Sequence, residues 1–105
     1  KNVMLKAPNG NGFVFEGTDN NFIIENNYFL DVGDNGIYFK GNNNKADTGA
    51  KLSGNLFYGD NQGIKIEAQS NNFDLNISNN TFFKPQDKSI DNDEDDVIVD
   101  SNYWG

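Results

Sequence analysis

Cysteine, arginine and histidine are absent from this 105-residue chain, and proline occurs only twice. Without cysteine there is neither a disulfide framework nor a thiolate metal site. With lysine as the sole base, eight cations face sixteen carboxylates and the formal net charge is −8. That balance disfavours nucleic acid, whose phosphates need clustered positive charge, and an anionic membrane surface. Long apolar runs are also missing. Nothing approaches the ~20 residues of a membrane-inserting helix, and the opening Lys1 to Lys6 lacks the apolar stretch of a signal peptide. An export signal or anchor would have to lie outside this chain.

What is present is asparagine, 20 residues of it, with 11 glycines and 9 phenylalanines. Asn and Gly favour turns and weaken helix interiors, so the composition predicts an all-β chain with many corners. A chain of this length forms one domain, 1–105, and its core must be apolar at regular places.

Those places repeat. Asn27-Tyr28-Phe29, Asn55-Leu56-Phe57, Asn80-Thr81-Phe82 and Asn102-Tyr103-Trp104 form one column, which Asn2-Val3-Met4 extends backwards at steps of 25, 28, 25 and 22 residues. Just upstream of each Asn lie Phe22-Ile23-Ile24, Ala50-Lys51-Leu52, Leu75-Asn76-Ile77 and Val97-Ile98-Val99. Their first and third residues are apolar, the period-2 mark of a strand with one buried face. A third column is Gly12-Phe13-Val14-Phe15, Gly36-Ile37-Tyr38-Phe39, Gly63-Ile64-Lys65-Ile66 and, degenerate, Ser89-Ile90-Asp91-Asn92.

Three short strands per ~25 residues cannot bury a core alone, but stacked copies can. The expected architecture is a right-handed, single-stranded parallel β-helix, a solenoid of about four coils with three strands per coil. One row of like side chains would fill each inward position, including Met4, Phe29, Phe57, Phe82 and Trp104. The column Asn is expected at a sharp corner in the left-handed conformation, its amide bonded to the next in an Asn ladder. The loop from Gly41 to Gly49 is the longest; a binding insertion or a disordered stretch fits its Asn-rich sequence.

The repeats Gly36-Ile37-Tyr38-Phe39, Gly63-Ile64-Lys65-Ile66 and Ile77-Ser78-Asn79-Asn80-Thr81-Phe82 resemble the coils of the pectate-lyase-like superfamily. The ending Ser101-Asn102-Tyr103-Trp104-Gly105 is similar to the close of β-helices in prokaryotic adhesin-like surface proteins, including those of methanogenic archaea. The resemblance implies a cap near Trp104 and, since no cap is visible at the other end, the C-terminal coils of a longer helix. End-to-end stacking with further coils or another copy follows from the open strand edges.

Lyases, hydrolases and adhesins share such coils, so the resemblance specifies the fold more than the activity. In the lyases the substrate groove implied by the resemblance follows the outward rows Val14, Tyr38, Lys65, Asp91 and Glu16, Lys40, Glu67, Asp93. Lys65 is the one candidate for the base of a Ca²⁺-assisted β-elimination on a uronate, with Asp34, Asp60 or Glu67 as calcium ligands. Against this, Lys65 beside Asp91 and Lys40 beside Glu67 read as cross-strand charge pairs, and the arginine clamp of the lyases is missing. The hydrolases of this fold use clustered Asp with a downstream His; Asp95-Asp96 offers acids, but the chain has no His.

The acidic run from Asp91 to Asp96 departs from the EF-hand pattern and leaves a looser calcium site of Asp91, Asp93 and Asp95. Asn76-Ile77-Ser78 and Asn79-Asn80-Thr81 match the glycosylation pattern, as an Asn-rich strand does by composition. The function expected is a non-catalytic β-helix segment of a secreted or cell-surface protein, a stalk or a polysaccharide-binding adhesin. Its glycan contacts would be Tyr38, Lys40, Lys65 and Glu67, with Tyr28, Tyr58 and Tyr103 as further stacking aromatics. The alternative is a fragment of a polysaccharide lyase.

Overall fold

The structure is a computed structural model and describes residues 4–17, 21–94 and 97–105. The described residues form short strands in a strict cycle. The first coil holds β1 (Met4–Leu5), β2 (Phe13–Phe15) and β3 (Ile23–Glu25); the second holds β4 (Tyr28–Leu30), β5 (Asn35–Phe39) and β6 (Lys51–Ser53). The third holds β7 (Leu56–Tyr58), β8 (Gln62–Ile66) and β9 (Asn76–Ser78), and the fourth β10 (Thr81–Phe83), β11 (Lys88–Asn92) and β12 (Ile98–Asp100). A last strand, β13 (Tyr103–Trp104), begins another turn. Each strand pairs only with its equivalents one coil away, giving sheet A (β1-β4-β7-β10-β13), sheet B (β2-β5-β8-β11) and sheet C (β3-β6-β9-β12). Every pairing is parallel. The chain is thus a parallel β-solenoid of about four turns.

In-register stacking sets like side chains on like. Phe29, Phe57 and Phe82 are partners in sheet A, with ring centroids 4.8 and 4.9 Å apart and planes within 6°. That spacing is the distance between hydrogen-bonded strands, so the strand ladder itself imposes the ring stack. Trp104 continues it over Phe82 at 5.1 Å and 13°. Ile37 and Ile64 in sheet B, and Leu52 and Ile77 in sheet C, complete a core with no measurable exposure. Gly36 and Gly63 leave no room for a side chain beside that core: a Cβ on Gly63 would stand 2.6 Å from the Ser89 carbonyl oxygen and 2.8 Å from the Phe82 ring.

The first coil departs from the expected column. Met4 pairs with Tyr28, and Leu5, not Met4, sits opposite Phe29. Because side chains alternate, this one-residue difference turns Met4 outward, 66% exposed, and Leu5 takes the inward place. Asn2 lies outside the described residues.

The corner from sheet C to sheet A also differs in detail. The left-handed residue is the one before the column Asn: Asn26, Gly54, Asn79 and Ser101, with φ of 60°, 69°, 58° and 55°. This conformation costs an ordinary residue about 1–2 kcal/mol, which Asn reduces and Gly avoids. The column residues Asn27, Asn55, Asn80 and Asn102 carry the ladder. The Oδ1 of Asn55 accepts from the backbone N–H and the Nδ2 of Asn27 at 3.0 and 3.1 Å; its own Nδ2 donates to Asn80 Oδ1 and to the Ile24 carbonyl, both at 3.0 Å. Both acceptor sites and both donors of the buried amide are used. Neither Asp, which has no donors, nor Ala can do this. Asn80 repeats the pattern with Asn102 Oδ1 and the Leu52 carbonyl.

The loop 41–49 is anchored to the core at two residues while most of it is exposed. Asn44 and Ala46 have no measurable exposure, and Ala46 forms a parallel bridge with Phe73, whose ring meets Phe39 edge-on at 5.2 Å.

Candidate functional site

The outer face of sheet B carries the predicted glycan contacts. Register places Val14, Tyr38, Lys65 and Asp91 side by side, as the sequence rows required. Lys65 Nζ lies 5.8 Å from the Tyr38 ring centroid and 3.9 Å from Asp91 Oδ2. Asp91 also faces Lys88 Nζ at 3.8 Å and accepts a longer contact, 3.4 Å, from Gln62 Nε2. The Tyr38 hydroxyl is held above its ordinary pKa, first by desolvation, then by the Glu67 charge and its hydrogen bond to Glu67, and by Glu16. Glu67 in turn accepts from the Gly41 N–H through Oε1 at 2.7 Å. So Tyr38, Lys65, Glu67 and Asp91 form one network of side chains. Lys40 is exposed on the adjoining row, and Glu67 turns to Tyr38 and the Gly41 N–H.

The acidic run divides. Asp91 belongs to the lysine network, Asp93 is exposed, and Asp95 and Asp96 lie outside the described residues. Glu94 Oε2 accepts from the Gln69 N–H at 2.7 Å, while Asn92 brackets the Glu94 backbone with two hydrogen bonds of 2.9 Å. Among the described residues no three carboxylates are grouped to hold a metal ion.

Two more side-chain ladders come into view that the sequence reading missed. Between sheets B and C, the Gly17 N–H donates to Asn44 Oδ1, the Asn44 N–H to Gln69 Oε1, and the Gln69 N–H to Glu94. Between sheets A and B, the N–H and Nδ2 of Asn35 both reach Asn11 Oδ1 at 3.0 Å. Asp60, proposed above as a calcium ligand, belongs to the same corner and is 1% exposed. Its Oδ1 accepts from the Val32 N–H at 2.8 Å, and its Oδ2 is buried with no hydrogen-bond partner among the described residues. Burial raises its pKa to about 7; the Val32 hydrogen bond opposes that shift and the neighbouring Asp31 adds to it. Asp34 is exposed and joins the fold through its backbone.

The tyrosines do not form one platform. Tyr28, Tyr58 and Tyr103 lie on the outer face of sheet A, away from Tyr38 on sheet B, with Tyr58 against Phe83 at 5.4 Å. Sheet C is different again: a cavity of about 440 Å³ opens on its outer face beneath the end of loop 41–49. Compared with known proteins, this chain matches no family model, no curated protein and no solved structure. Function therefore has to be argued from the faces of the solenoid themselves.

Proposed function

We propose that this chain is a non-catalytic segment of a secreted or cell-surface protein that binds polysaccharide along the outer face of sheet B, with coils like those of the pectate-lyase-like superfamily. The observation that carries the reading is the Tyr38 network. An aromatic ring held from one side by Lys65 and by a hydrogen bond to Glu67 is ordered before any ligand arrives, which lowers the entropic cost of stacking a sugar ring on it. Lys65 is engaged by Asp91 and by the ring, an arrangement suited to a fixed cation more than to a base that must approach a substrate C–H. Exposed Lys40 supplies a second cation beside the platform for an acidic glycan.

The test compares retention on insoluble cell-wall glycan with turnover of uronate polymers in the presence of Ca²⁺, read from the ultraviolet absorbance of unsaturated ends. Retention without turnover, weakened in Tyr38→Ala, is the expected result. Turnover that is lost in Lys65→Ala would replace this reading with the lyase one.

A further inference from the structure

We propose that the outer face of sheet A docks a second copy of this chain, face to face and with the two solenoid axes antiparallel. Register stacks Met4, Tyr28, Leu56, Thr81 and Tyr103 in one outward row, and Leu30, Tyr58 and Phe83 in the next. All but Thr81 are apolar or aromatic, and Met4, Tyr28, Tyr58 and Tyr103 are exposed. Five strands thus present one continuous apolar patch to water, the mark of an interaction surface. A sugar is the poorer occupant. Tyr28 and Tyr103 lie three strand spacings apart, about 14 Å, with Leu56 and Thr81 between them, and neither row holds an amide or acid to bond a hydroxyl.

The charges at the rim select the second copy and its orientation. Past the second row the chain turns toward sheet B through Asp31, Gly59 and Lys84, equivalent corner positions with φ of 54°, 71° and 51°. An acid therefore stands one coil before β7 and a base one coil after it, on the same edge, with only a glycine between them. A two-fold axis along β7 exchanges the two, so that Asp31 of each copy meets Lys84 of the other. The same axis sets Leu56 on Leu56, Tyr58 on Tyr58, Leu30 on Phe83, Tyr28 on Thr81 and Met4 on Tyr103, at the ~10 Å separation of stacked sheets. The opposite corner adds no repulsion, because it consists of Asn26, Gly54, Asn79 and Ser101. Lys6, which pairs with Asp31 at 3.7 Å in its own copy, would face Gly105 and meet no cation. With the axes parallel, Asp31 and Lys84 would meet Asn26 and Asn79 instead, so the rim charges favour the antiparallel arrangement. Four strand spacings make the patch only about 19 Å long, at the small end for a specific interface, and the dimer is therefore weak and concentration-dependent. Sheet B stays open to solvent in it, and the inference stands independently of the Tyr38 reading.

The experiment is sedimentation equilibrium of this chain at low salt, from about 10 μM to about 1 mM, with ¹⁵N amide shifts followed over the same range. A monomer–dimer equilibrium that stops at the dimer is expected, with shifts at Tyr28, Leu56, Tyr58 and Thr81 and none at Tyr38 or Lys65. Lys84→Glu and Asp31→Lys, both at exposed corners, should each weaken the dimer about tenfold by setting like charges together. The double variant exchanges the signs and should recover it. Leu56→Glu, which sets two carboxylates on the axis, should abolish it, with the amide spectrum at low concentration as the folding control. A monomer throughout overturns the proposal, as does a dimer indifferent to Lys84→Glu or one that the double variant fails to recover. Growth beyond a dimer, with shifts confined to β1–β3 and β11–β13, also overturns it, since that is end-to-end stacking.

Discussion

Asp60→Asn isolates the one buried carboxyl of the A-to-B corner. In the folded chain its pKa is about 7, against 3.8 for the free group, so the folded state holds a proton that the unfolded state releases between these two values. Well below pH 3.8 both states are protonated and the carboxyl costs nothing electrostatically. As the pH rises toward 7 the unfolded state ionises first and stability falls; above the folded pKa the loss is complete. A difference of about three pKa units at 1.36 kcal/mol each sets that loss at up to about 4 kcal/mol, an upper bound because the corner can relax around the charge. Asparagine keeps the oxygen that accepts from the Val32 N–H and, like the protonated acid, is neutral. Urea midpoints measured for both proteins from about pH 4 to about pH 8 read the effect, and their difference cancels every other titrating group. The two should be within ~1 kcal/mol at the acid end, with the variant more stable at the alkaline end. A difference that stays flat across this range would refute the reasoning, because it would mean that Asp60 ionises alike in both states.

Asn55→Ala should cost about 2–4 kcal/mol in urea denaturation, since it removes the buried acceptor of the Asn27 N–H and Nδ2 and the donor to Asn80 Oδ1 and the Ile24 carbonyl. Lys84 adopts φ of 51° without glycine's freedom, so Lys84→Gly should be neutral to stabilising by about 1 kcal/mol, read from the thermal midpoint.

Much of the fold was legible because parallel stacking in register converts a spatial rule into a sequence period. Phe57 lies on Phe29 and under Phe82, and the three recur in one column of the sequence. Met4 misled because the first strand enters one residue out of step, and a two-residue strand, Met4–Leu5, contains too little alternation to reveal it. The left-handed residue was misassigned because Asn26-Asn27 and Asn79-Asn80 offer two asparagines each; the clue was in Gly54 and Ser101, which precede the column in the other coils. The remaining ladders were hidden for a different reason. Asn44, Gln69 and Glu94 perform one hydrogen-bonding task with three residue types, so a search for self-similarity passes over them. Likewise the sheet C cavity is lined by residues of three coils, from Thr48 to Ile98, a grouping that no local pattern encodes.

The interior ladder amides make the same four bonds whichever coil they occupy, and that makes the coil an interchangeable unit. A duplication or deletion cut at Asn55 and Asn80 carries away one acceptor and one donor set and restores both at the seam, with the phenylalanine stack still in phase. Each such event changes the length of the rod by one strand spacing, about 4.8 Å. Its length is therefore adjustable in equal steps, with the ladder and the ring stack intact at every length.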